Sequence, residues 1–163
     1  MRILRFYHAA GPHPRLVGPY LPRALYLKMC ASVPIVCVDI VAKQKNKFLL
    51  VKRANPPAQG KWFIPGGRVA KNETLVAAVQ RKLFEETGLK GGAPKFLALA
   101  EHFNVRGYLP RGNSHVITFV FLVSVKSKDP VRLDKQSSGA QWLSKIPRKL
   151  HPYPKAALRA AGF

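Results

Sequence analysis

The spacing of apolar positions along the chain predicts strands, one long helix, further strands and a terminal helix. Pro22–Ala31 reads as a short helix with proline in its first turn. Val33–Val41 is dense in β-branched residues and predicts a buried strand. Lys43–Lys47 is a polar turn, and Phe48–Lys52 a second strand that closes a hairpin. Asn55–Gly60 is a loop, and Trp62–Pro65 a short strand ending at Gly66-Gly67. Leu75, Val76, Val79 and Leu83 then recur at helical spacing, with Asn72 as the expected N-cap and Gly88 as the stop. Phe96–Phe103 predicts a strand, Asn104–Ser114 a basic Gly/Pro loop, Val116–Val125 a long central strand and Ala140–Leu143 a short one. Residues 147–163 read as a basic tail, partly helical. The alternation predicts an α+β fold with layered α/β/α architecture.

Length bounds this picture to one domain: 163 residues suffice for a single core, here residues 21–163, preceded by a basic arm over residues 1–20. The longest apolar run, Val116–Val123, is too short for a membrane helix and is broken by Thr118. Cys30 and Cys37 lie among apolar residues without a metal-ligand pattern. They read as buried thiols of a reducing compartment, which predicts a cytoplasmic protein. The acid-free N-terminus leaves a mitochondrial location as the alternative.

Charge changes the picture more. Lysine and arginine number 28 against seven acids, a formal charge of +21, which favours polyanionic partners, RNA among them. Yet three of the seven acids, Glu73, Glu85 and Glu86, fall within fourteen residues. On a helix, Lys82, Glu85, Glu86 and Leu89 share a stripe rotated away from the core stripe of Leu75, Val76, Val79 and Leu83. Adjacent carboxylates repel unless they face solvent or hold a divalent cation. Hard oxygen ligands suit Mg²⁺ or Mn²⁺, which in turn hold phosphate oxygens. Gly66-Gly67 permits close backbone approach and offers a carbonyl.

The segment Gly67–Leu89, GRVAKNETLVAAVQRKLFEETGL, resembles a Nudix box: G, five residues, E, seven residues, R-E-U-x-E-E, one residue, G, then an aliphatic U. Gly67, Glu73, Arg81, Leu83, Glu85, Glu86, Gly88 and Leu89 match eight of its nine fixed positions. Lys82 stands where the pattern has Glu. An ammonium on that stripe repels a second divalent ion, which argues against multi-metal P–O cleavage. The run Lys52–Val69, together with Asp39, Glu101-His102-Phe103 and His115, is similar to the GDP-mannose mannosyl hydrolase subfamily, which also lacks that Glu.

This resemblance implies a Nudix fold, a mixed sheet sandwiched between helices, and an Mg²⁺-dependent hydrolase acting on a nucleotide sugar at its anomeric carbon. It implies Glu86, with Glu85 and the Gly66 carbonyl, as metal ligands. Arg53, Arg68 and Arg81 would hold or orient the diphosphate, Asp39 would contact the nucleotide or leaving group, and His115 would be the general base; His102 is a further candidate for substrate contact. Other roles stay open on the residues alone. Arg81 could bridge Glu73 or Glu85, Asp39 could pair with Arg53, and Trp62 could stack on a base or fill the core. Two other functions stand beside the first: a diphosphatase cleaving P–O, and a non-catalytic domain in an RNA-rich assembly. Expected partners are a nucleotide sugar, RNA through the basic surface and a second copy of the chain, with no membrane.

Overall fold

The computed structural model describes residues 21–55, 58–105, 114–126 and 130–163, and for Asn104 the backbone alone. The N-terminal arm and the body of the basic loop, residues 106–113, lie outside the described residues. The elements are α1 (Arg23–Ser32), β1 (Ile35–Gln44), β2 (Lys47–Arg53), β3 (Trp62–Phe63), β4 (Gly66–Arg68), α2 (Leu75–Thr87), β5 (Lys95–Val105), β6 (Ser114–Ser124), β7 (Ser137–Leu143) and α3 (Pro152–Ala160).

The seven strands form one mixed sheet in the order β3-β2-β1-β6-β5, with β4 also paired to β1 and β7 to β2. β1 is apolar because both its faces are covered. Val38, Ile40 and Ala42 pack with Ala78, Val79 and Leu83 of α2 and with Leu89 and Phe121. Val41 packs on the opposite face with Phe48, Leu50, Val120 and Ala157 and Leu158 of α3. Cys30 of α1 meets Ile35 and Val116 in a third cluster. The result is an α/β/α sandwich, as the sequence predicts.

The site depends on how β1 and β2 part. Their register runs only over Lys43↔Phe48 and Gln44↔Lys47. Further along β1 the neighbour is β4, with Cys37↔Arg68, Val38↔Gly67 and Asp39↔Gly66. The single strand expected over Trp62–Pro65 is therefore two, β3 on β2 and β4 on β1. Pro65 falls between them, where its missing N–H costs no ladder bond and its carbonyl accepts from Ile40 N–H at 2.8 Å.

Two further expectations are corrected. The N-cap of α2 is Thr74, not Asn72: Thr74 is extended and its hydroxyl accepts from Ala77 N–H at 3.1 Å. Asn72, at φ 65°, makes the turn before it. Thr74→Ala should cost about 1 kcal/mol, read as a lower midpoint in chemical denaturation. Leu89 is buried in the core beside Leu83, because the helix ends at Thr87 and Gly88 turns the chain at φ 69°. The basic tail over residues 147–163 does contain a helix, α3, and it packs on the sheet: Leu150 and Leu158 are buried, and Phe163 lies edge-on to Phe48 with ring centroids 4.9 Å apart.

Candidate active site

α2 carries the charged cluster on the face that meets β4. Arg81 is its lock. Its Nε and Nη2 donate to the two oxygens of Glu73 at 2.6 and 2.7 Å, Nη1 to Glu85 at 3.1 Å, and Nη2 also to the Arg68 carbonyl at 3.1 Å. Glu73 in turn accepts from Ala70 N–H at 2.9 Å. Burial of Glu73 is more than offset by Arg81 and that N–H, so its carboxyl lies below the usual range. Of the two roles left open for Arg81, the bridge to Glu73 and Glu85 is the one formed.

Lys82 points into the same cluster. Its Nζ lies 3.0 Å from Glu86 Oε1 and 3.3 Å from Glu85 Oε2. Burial opposes the ammonium, but the two carboxylates more than compensate, and its pKa rises. Glu86 is buried, which raises its pKa against the pull of Lys82 and of Gly66 N–H, which donates to Oε2 at 3.1 Å.

A cavity of about 320 Å³ opens over this cluster, lined by Tyr26, Arg53, Arg68, Arg81, Lys82 and Glu85 among others. The Arg68 guanidinium lies 6.0 Å from the Tyr26 ring centroid. On the other side of Gly66-Gly67 lies a second cavity of about 540 Å³, and Arg53, Ile64 and the two glycines line both. Its walls carry Phe63, Phe103, His102, His151 and Tyr153, with Asp39. Tyr153 hydroxyl donates to Asp39 Oδ2 at 2.6 Å. The Tyr153 ring lies edge-on to His102 at 4.4 Å between centroids. Burial lifts the Asp39 carboxyl to about 7; the Tyr153 hydrogen bond, Arg53 and Lys82 oppose the rise, and Glu86 adds to it. Burial beside His151 pushes His102 below its usual value. Cys37, also at this wall, is a free thiol pushed up to about 12 by burial and by Asp39. A Cβ at Gly66 would collide with Asp39 Oδ1 and the Val38 carbonyl, so glycine is required there.

The structure thus brings together Asp39, Arg53, Gly66, Arg68, Arg81, Glu85, Glu86 and His102. His115 lies at the edge of the second cavity, against Phe103 and Glu101 of its wall. It is on β6, stacked on Phe103 at 4.5 Å between centroids, with Nε2 3.8 Å from Glu101 Oε1, and it lines neither cavity. Val116 and Thr118 line the second cavity, and on a strand the alternate residue faces the other way. Sequence reasoning missed Tyr153 and His151, whose signal was a Pro-started helix, His151-Pro152, within the supposed tail. His151 caps that helix, its Nδ1 accepting from Tyr153 N–H at 3.3 Å. Trp62 is half-buried beside the core that includes Phe48 and Leu158.

A mixed sheet between helices, with a carboxylate-bearing helix against a glycine strand, is an α+β fold. Residues 33–154 match the NUDIX domain model, and the chain belongs to the Nudix family of hydrolases. The low-salt glycan biosynthesis protein Agl8 of Haloferax volcanii is 37% identical over 80% of this chain and 83% of its own length. An ADP-ribose pyrophosphatase of Methanocaldococcus jannaschii is 42% identical over 56% of the chain; the match spans 52% of that relative. A MutT Nudix hydrolase from Burkholderia pseudomallei superposes with TM-score 0.67 at 23% identity, over 78% of this chain and 97% of that one, a likeness of fold.

Nudix hydrolases generally use divalent metals. In this chain the expected ligands Gly66, Glu85 and Glu86 do converge, but the Lys82 ammonium lies between the two carboxylates. Gly66 N–H also takes one oxygen of Glu86. Among the described residues no three His, Cys, Asp or Glu side chains cluster as a metal set. With Lys82 in that place the donor set does not fit a divalent ion.

Proposed function

We propose that the protein hydrolyses a nucleoside diphosphate sugar, with water attacking the anomeric carbon. The observation that most supports this reading is the junction of a cationic cavity and an aromatic-walled one across Gly66-Gly67, with Arg53 at both. The diphosphate fits the side of Arg53 and Arg68, whose planar forks suit phosphate oxygens. A planar base or sugar ring fits among Phe63, Phe103, His102 and Tyr153.

Asp39 takes the role of base in this reading, in place of His115. Its ionised carboxylate removes a proton from water. The water oxygen bonds to the anomeric carbon, the bond from that carbon to the diphosphate oxygen breaks, and its electron pair leaves with the diphosphate. Arg53 and Arg68 stabilise the charge that develops there. Tyr153 holds the Asp39 carboxylate in position. A GDP-mannose-like substrate is in keeping with the resemblance of Lys52–Val69, and with a relative named for glycan biosynthesis.

Hydrolysis of a nucleotide-sugar panel in ¹⁸O water tests the reading by mass spectrometry. The expected products are labelled free sugar and unlabelled nucleoside diphosphate. Label in a phosphate would replace this reading with P–O cleavage. That second reading draws support from the relative named as an ADP-ribose pyrophosphatase and from the retained Glu85.

A further inference from the structure

The box holds three carboxylates, Glu73, Glu85 and Glu86, and two cations, Arg81 and Lys82, that pair with them. These five side chains sum to one negative charge. Glutamate at position 82 would leave three negative charges, a demand for divalent cations. Lysine removes most of that demand. Its position is built rather than incidental: the Lys82 stem lies against Gly67, where a Cβ would come within 2.6 Å of Lys82 Cε and 3.2 Å of Nζ. A side chain at 67 would push the ammonium out of the cluster. Lys82 is itself buried, and an unpaired buried ammonium is costly, so Glu85 and Glu86 hold it firmly.

We propose that Lys82 is the resident cation of this site. It takes the place of a divalent ion between Glu85 and Glu86, and it offers a remaining N–H to a diphosphate in the Arg53–Arg68 cavity. Lys82 lines that cavity beside both arginines. An ammonium has three donors; two face the carboxylates, and the third is available to an anion. The proposal rests on the reading of this cavity as a diphosphate site. It implies that diphosphate binding is metal-independent, which distinguishes this chain from a Nudix enzyme with glutamate at that position.

Two probes test it on the full chain, neither containing a sugar or a base. The first is Mn²⁺, titrated by electron paramagnetic resonance. Wild type should show no saturable site at micromolar concentrations, and Lys82→Glu should gain one. The second is inorganic pyrophosphate, followed by calorimetry in EDTA and again in Mg²⁺. Wild type should bind equally in both buffers. Lys82→Gln should weaken binding about tenfold, the loss of one charge-assisted contact, and Lys82→Arg should restore most of it. Lys82→Gln takes the cluster from one negative charge to two while Lys82→Arg keeps it at one, and circular dichroism checks that each variant folds.

A micromolar Mn²⁺ site in wild type would overturn the proposal, as would pyrophosphate binding only with Mg²⁺ or unaffected by Lys82→Gln. Pyrophosphate binding in neither buffer would remove the anion role as well. Turnover of nucleotide sugars is read separately. Its failure would end the functional reading while both probes still report on Lys82.

Discussion

Asp39→Asn should lower kcat/KM by roughly 10²–10⁴-fold, the usual loss when a general base is removed. Asparagine keeps the shape and can still accept the Tyr153 hydroxyl, so the effect isolates the charge. In wild type, kcat/KM should rise with pH and level off above about 7, where Asp39 is ionised. Burial sets this value first, and the groups around it adjust it: Tyr153 from α3, Arg53 from β2, and Glu86 and Lys82 from α2. The variant should lose that limb of the profile. A profile unchanged in shape and height would remove Asp39 from the chemistry.

The same carboxyl should register in stability. Its folded value is raised from 3.8 to about 7, so the folded state holds the proton more tightly. That contribution is fully present below 3.8 and is lost as pH rises toward 7. Uncharged asparagine escapes the loss. Asp39→Asn should therefore be more stable than wild type at pH 8 by about 2 kcal/mol, a figure reduced because the carboxyl opens onto a cavity. Paired denaturation curves at pH 5 and pH 8 measure it.

The second large effect lies in the core beneath the box. Leu83 is fully buried between β1 and α2, and its neighbour Phe84 is 52% exposed. Leu83→Ala should destabilise the fold by about 3 kcal/mol, through lost burial and the cavity left behind. In a chain of this size that lowers Tm by roughly 10 °C. Phe84→Ala, larger in removed volume, should stay within about 0.5 kcal/mol, as surface changes do. Equal effects would mean that α2 does not sit on the sheet as described.

Much of this was legible in the spacing of residues. The helical period of Leu75, Val79 and Leu83 located α2, and the apolar run after Val33 located the strand buried on both faces. The charged cluster was legible because it is local: Glu73, just before the N-cap of α2, and Arg81, Lys82, Glu85 and Glu86 on it lie within fourteen residues. Asp39 and Tyr153 meet across 114 residues, and no periodicity reports such a contact. His115 was legible as a polar residue opening β6, but similarity along a strand does not fix which face a side chain takes, and it touches the cavity wall at Phe103 and Glu101 rather than lining the cavity itself. The helix in the basic tail was legible, but its charges hid the apolar positions Leu150, Ala157 and Leu158 that α3 and its approach bury.

The parting of β1 from β2 has a consequence for how such a protein changes over generations. Because β4 fills the gap with two glycines, the two cavities meet through backbone, and their walls come largely from different elements. α2 supplies acids and cations to one, while β3, β5 and the start of α3 supply rings to the other. Substitutions at Phe63 or Phe103 can therefore exchange one cargo for another while the charged half and the Tyr153–Asp39 contact stay constant. The grip on the cargo and the grip on the diphosphate can thus drift under separate selection within one small domain.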